Sequence, residues 1–205
     1  MILRQWLRDI GRREGRERFS KISQYMQVAW RMNALQAKGV KTSAEEISQR
    51  EKLHPYFVDR FREFLRLDGR NEAVRHFPQL KEWFGHDAKD QKIAKYEDTR
   101  VPDAIRQIAD HMQELAKTSL QKRLELNREY EKALAQAKND DENKNVKRRA
   151  LEKEHEQFLK KIWLDGVGPL HADDGNTERQ LLSNEEKPQF VAMRAELDKR
   201  KQSAA

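Results

Sequence analysis

The sequence predicts an all-α chain: an N-terminal bundle of helices followed by a long antiparallel helical hairpin. Three observations carry this. The 205 residues include only 8 Gly and 5 Pro, so helices are rarely interrupted. Apolar side chains recur three and four residues apart along most of the chain, which places them on one helical face. Charged residues make up 38% and hydrophobic ones 37%, too polar to fill one large core and too periodic for wholesale disorder.

Residues 2–13 form the first predicted helix, with Ile2, Leu3, Trp6, Leu7 and Ile10 on one side. Gly15 separates it from a second, about 16–37, built on Phe19, Ile22, Met26, Ala29, Trp30 and Leu35. Lys38-Gly39 supplies the stop. Ser43-Ala44-Glu45-Glu46 matches a capping box and opens a helix over 44–52. Leu53-His54-Pro55 makes a turn, and Pro55 suits the first position of the next helix, 55–67, which Asp68-Gly69 ends. A short helix over 71–77, an aromatic anchor at Trp83-Phe84 and a polar loop from His86 to Lys95 follow.

Pro102 opens the longest helical pattern, 102–138. Ile105, Ile108, Met112 and Leu115 begin a heptad seam that Ser119 and Lys122 interrupt, so a helix packed on neighbours is expected rather than a regular coiled coil. The polar run 139–145 separates it from a helix over 145–164, and so short a connection makes the two antiparallel neighbours. Residues 165–182 read as loop, 184–200 as a last helix, and the terminal KQSAA as frayed. The organisation is therefore a basic bundle over 1–100, a hairpin over 101–165, and a loosely attached loop and helix over 166–205.

The net charge of +7 is unevenly placed. Residues 1–70 hold 16 Lys/Arg against 9 Asp/Glu, and the rest of the chain balances. A local basic excess attracts polyanions, of which nucleic acid is the commonest. The absence of cysteine removes disulfides and thiolate metal sites and fits a reducing compartment. No run approaches the ~18 apolar residues of a membrane span. The Arg-rich start is reminiscent of an organellar transit peptide, but Asp9, Glu14 and Glu17 argue for a structural amphipathic helix. A cytoplasmic or nucleoid-associated protein is expected, with an organellar matrix as the alternative.

The sharpest local pattern runs from Glu46 to Phe61. Ile47, Ser48, Lys52, Leu53 and Val58 fill the core positions of a helix-turn-helix without a gap, with Ser48 where Ala is commoner and Lys52 where Gly is. In that arrangement Val58, Phe61 and Leu65 face inward, and His54, Tyr56, Asp59, Arg60 and Glu63 face outward. Arg60 would read guanine, His54 and Tyr56 would touch bases or phosphate, and Lys41, Arg50 and Lys52 would hold the backbone. Asp59 and Glu63 work against this by bringing negative charge to phosphate. A plain three-helix bundle that binds protein gives the same pattern.

The stretch 20–67 resembles the helix-turn-helix part of ParB-type partition proteins, and the following NEAVRHFPQLKEWFGHDAKDQKIAKYEDTRVPDAI resembles a segment of ParB-like chains, so the likeness covers about 20–110. The nuclease-like domain of that family has no counterpart here. The resemblance implies duplex DNA binding. Leu53-His54-Pro55 also resembles a helical domain of the bacterial clamp-loader delta subunit, which implies protein assembly instead.

No catalytic constellation, cofactor motif or metal face stands out, and no enzymatic activity is expected. The six histidines never pair at i+3 or i+4. His171-Ala172-Asp173-Asp174 reads as a solvated turn, and Gly166-Val167-Gly168 lacks the third glycine of a phosphate loop. The expected function is that of a DNA-binding accessory or regulatory protein, with 102–164 used for dimerisation or partner docking. The alternative is a structural subunit of a larger ribonucleoprotein or protein assembly, touching RNA and protein.

Overall fold

A computed structural model describes residues 2–66, 73–75, 77–86, 95–137, 146–164 and 168–203. The Asp68-Gly69 stop, the start of the 71–77 helix, most of the 86–95 loop, the 139–145 breaker, the Asp165-Gly166-Val167 break and the end of the tail lie outside these residues. The described residues form eight α-helices and no strand: α1 (Ile2–Arg18), α2 (Ile22–Ala37), α3 (Ala44–Glu51), α4 (Pro55–Phe64), α5 (Asp103–Gln136), α6 (Lys153–Leu159), the single turn α7 (Asp174–Asn176) and α8 (Glu186–Ser203). Among them no helix is long and apolar enough to cross a membrane.

The core is built around α2. Ile22, Tyr25, Met26, Val28, Ala29, Trp30, Met32, Ala34 and Leu35 are all buried, so apolar surface encircles the helix, as a central helix requires. It packs on α4 and on the first half of α5. Tyr25 stacks on Phe61 of α4 at 5.3 Å between ring centroids. A 3-10 turn, Phe19–Lys21, breaks the backbone ladder between α1 and α2. The buried Gln113 of α5 repairs the break: its amide donates to the Phe19 carbonyl at 2.9 Å and accepts from the Ser23 N–H at 3.3 Å. An unpaired pair of buried backbone groups there would cost about 1–3 kcal/mol each.

The local signals of the sequence appear as structure. The Ser43 hydroxyl caps α3, accepting from the N–H groups of Glu45 and Glu46. The returning carboxylate is that of Glu45 rather than Glu46, accepting from the Ser43 hydroxyl at 2.8 Å. Gly39 ends α2 at φ +74°, and the Val40 N–H closes the turn on the Leu35 carbonyl at 3.0 Å.

Three expectations are corrected. First, α1 does not stop before Gly15 but runs to Arg18. Gly11 and Gly15 are there for close approach, not as breakers. A Cβ on Gly11 would lie 2.8 Å from Thr177 Oγ1, and one on Gly15 would lie 2.8 Å from the Leu170 carbonyl oxygen. Gly15→Ala is therefore expected to destabilise the fold by about 1–2 kcal/mol, since overpacking outweighs the helix propensity gained. Urea unfolding checks this against Gly85→Ala, where a Cβ meets nothing within 4 Å.

Second, the return arm to α5 is helical only from Lys153, and residues 146–152 are not helical. Side chains of the arm meet α5 at Arg149 with Glu129, Glu152 with Lys122, and His155 with Ser119. The proton inventory of the last contact closes. Ser119 Oγ donates to the Leu115 carbonyl at 2.6 Å, so His155 Nδ1 donates to Oγ at 2.8 Å and Nε2 accepts from Lys122 Nζ at 2.9 Å.

Third, 165–182 is not simply loop, and the C-terminal region is not loosely attached. Asp173 accepts from the Asn176 N–H at 2.7 Å and starts a helical turn that continues to Leu181. Leu170, Thr177, Leu181 and Leu182 are buried, and this segment packs along α1. Arg13 holds α8 by donating to Glu186 at 2.8 Å, which keeps that carboxyl below its ordinary pKa.

Candidate nucleic-acid interface

The turn between α3 and α4 has the geometry the sequence demands. Lys52 sits at φ 54°, ψ 46°, and it is the one positive-φ non-glycine among the described residues. Its left-handed backbone lets the Leu53 N–H reach the Ser48 carbonyl at 2.9 Å. Ser48 is buried where the helices come close. Val58, Phe61 and Leu65 point inward, as expected.

The outward face of α4 is corrected. Tyr56, Phe57 and Val58 are consecutive and all buried, so burial covers about 200° of the helix circumference. The covering chain is the segment Gly168–His171, from the far end of the sequence. Tyr56 Oη donates to the His171 carbonyl at 3.1 Å, and the Arg60 guanidinium donates to the Gly168 carbonyl at 2.7 Å. Burial pushes the Tyr56 hydroxyl pKa up. Asp59 is half-buried, its carboxyl pKa raised by desolvation despite Arg62 at 3.1 Å.

His54 is half-buried and structural. Its backbone N–H donates to Tyr25 Oη at 3.0 Å, and its ring Nδ1 accepts from the Tyr56 backbone N–H at 3.3 Å, capping α4. Desolvation, then the nearby Arg18, lowers its pKa below the ordinary 6.5. The folded state therefore prefers the neutral ring. This stability is complete above about pH 6.5 and is lost as the pH falls through the depressed folded value. His54→Asn keeps an acceptor at the cap and is expected to flatten the dependence of the melting temperature between pH 7 and 5.

Of the six residues expected to touch nucleic acid, Lys41, Arg50 and Lys52 remain exposed. Arg50 is engaged by Glu97 and lies over the Tyr96 ring. Burial raises the Tyr96 pKa to about 12. Lys52 adjoins Lys21, whose Nζ donates to the Lys52 carbonyl at 3.1 Å. His54, Tyr56 and Arg60 belong to the interior contacts just described.

The most regular cationic surface lies elsewhere. Arg4, Arg8, Arg12 and Arg16 are all exposed on α1, each one helical turn beyond the last, over a run of about 18 Å. The acid that spoils the pattern in sequence, Glu14, is buried and paired with Arg18 at 2.7 Å and Arg13 at 2.9 Å. The signal of this surface in the sequence is arginine at every fourth residue, on a helix whose other face is apolar and speaks for packing. Comparison with family models, with curated proteins and with solved structures yields no match. The ParB-type resemblance therefore rests on the residues alone.

Proposed function

We propose that this chain is a non-catalytic helical subunit of a larger ribonucleoprotein assembly, resting its basic N-terminal helix on an RNA backbone. The observation that supports the reading is the arginine ladder on α1, exposed along its length, in a protein where Tyr56 and Arg60 of α4 are bonded to the Gly168–His171 segment. Evenly spaced guanidiniums grip phosphate by charge and shape and carry no base code. The alternative, duplex DNA read by α4, has the Lys52 turn in its favour and requires Gly168–His171 to leave Tyr56 and Arg60.

Fluorescence anisotropy with structured RNA and with duplex DNA, at two salt concentrations, separates these. Binding lost on replacing Arg4, Arg8, Arg12 and Arg16 by glutamine supports the ladder. Binding to DNA that survives those changes and is lost in Arg60→Ala transfers the function to α4. No salt-dependent binding to either polymer ends the nucleic-acid reading.

A further inference from the structure

A groove of about 790 Å³ opens between α1, α5 and the π-helical turn Lys160–Leu164 that follows α6. Its floor is apolar: Leu120 and Leu124 from α5, Leu159 from α6, and Trp163. Leu124 is 46% exposed, one of two large apolar side chains so exposed among the described residues. The rim is cationic. Arg12, Arg16, Arg123 and Lys160 line it, against one carboxylate, Glu156, which lies 3.9 Å from Arg123. Arg16 also lies over the Trp163 ring at 5.9 Å, so it covers one end of the floor without closing it.

The shape and chemistry point to one kind of occupant. Arg12 and Arg16 stand one turn apart on α1, as Leu120 and Leu124 do on α5, so both walls repeat at the pitch of a helix. A helix laid in the trough meets both repeats with its own i, i+4 side chains. A leucine floor offers little to sugar and phosphate, and a single aromatic is a poor stacking platform for bases. The excess of three positive charges selects against basic partners and for acidic ones. From Leu120 to Gln136 no residue of α5 is fully buried: Leu120 and Leu126 are only partly covered, and Leu124 is open on the groove side.

We propose that this groove is the docking site for an acidic amphipathic helix of a partner protein. Leucine-type side chains of the partner seat on Leu120, Leu124 and Trp163, and its flanking carboxylates meet Arg12, Arg16, Arg123 and Lys160. The proposal specifies the protein side of the assembly. It rests on the chain being a subunit among partners, but not on RNA contact.

The test is calorimetric titration of the full chain with a synthetic amphipathic peptide of about five helical turns, leucine on one face and glutamate on the other. A second peptide with lysine for glutamate is the charge control. Micromolar binding of the glutamate peptide is expected, weakened at least about tenfold in the lysine peptide and in Leu124→Asp. Because Leu124 is exposed, its substitution should leave the melting temperature unchanged. Lys160→Glu, also at an exposed position, should act in the same direction. Equal binding of both peptides, no binding of the glutamate peptide, or indifference to Leu124→Asp overturns the proposal. So does loss of RNA binding in Leu124→Asp, which would make the groove part of the RNA surface. Failure of the RNA reading shows instead at Arg4 and Arg8, which lie outside the groove.

Discussion

Phe57→Ala is expected to lower the unfolding free energy by about 3–5 kcal/mol. Typical domains hold only about 5–15 kcal/mol in total, so this change should leave a large unfolded fraction at physiological temperature. The ring is fully buried and joins α4 and its cap to α1 and α2. It meets Tyr25 of α2 edge-on at 6.4 Å, His54 at 5.7 Å and Tyr56 at 5.0 Å, and the Arg18 guanidinium at the end of α1 lies 5.7 Å from its centroid. Removing it leaves a cavity that no single neighbour can collapse into. Urea unfolding should show a lower midpoint at unchanged slope. Glu63→Ala, on the exposed side of the same helix, should stay within about 0.5 kcal/mol. A loss below about 1 kcal/mol for Phe57→Ala would mean that α4 is not packed as described.

Replacing Arg4, Arg8, Arg12 and Arg16 together by glutamine is expected to remove most of the salt dependence of RNA binding. Each phosphate neutralised contributes about 0.7–0.9 to the slope of log affinity against log salt. Four lost contacts should therefore flatten the slope by about 3 and cost at least about a hundredfold in affinity at low salt. The fold should survive, because all four side chains are exposed, although Arg16 gives up its contact with Trp163. Circular dichroism checks that α1 remains helical, since glutamine is about as good a helix former as arginine. An unchanged slope would place the polyanion surface elsewhere, with Lys21, Lys41 and Lys52 the next cations to remove.

What the sequence made legible is what short-range chemistry decides. Ser43 caps α3 because its hydroxyl reaches N–H groups two and three residues away. Lys52 marks the left-handed turn because it stands where the helix-turn-helix it resembles usually has Gly. The apolar period gives the packed side of the first half of α5, where Ile105 and Met112 are buried, whereas α2 is buried all round. What was illegible depends on partners far along the chain. Gly15 reads as a breaker until Leu170, 155 residues later, is seen against it. Tyr56 and Arg60 read as surface until Gly168 and His171 accept from them. The polar stretch around Asp173 gives no periodic signal, so nothing local announces the helical turns that bury Thr177 and Leu181.

The uneven burial of α5 has a dynamic consequence. Its last buried residue is Ser119, near the middle of a 34-residue helix. Amides before that point are locked to global unfolding, whereas those beyond it are held by the helix and by the partly exposed contacts of the return arm, which protect far less. Hydrogen exchange should therefore step sharply upward along one continuous element, slow before Ser119 and fast after Leu124. Any companion that seats on the outer half would erase that step, which makes the tip of α5 a built-in reporter of assembly.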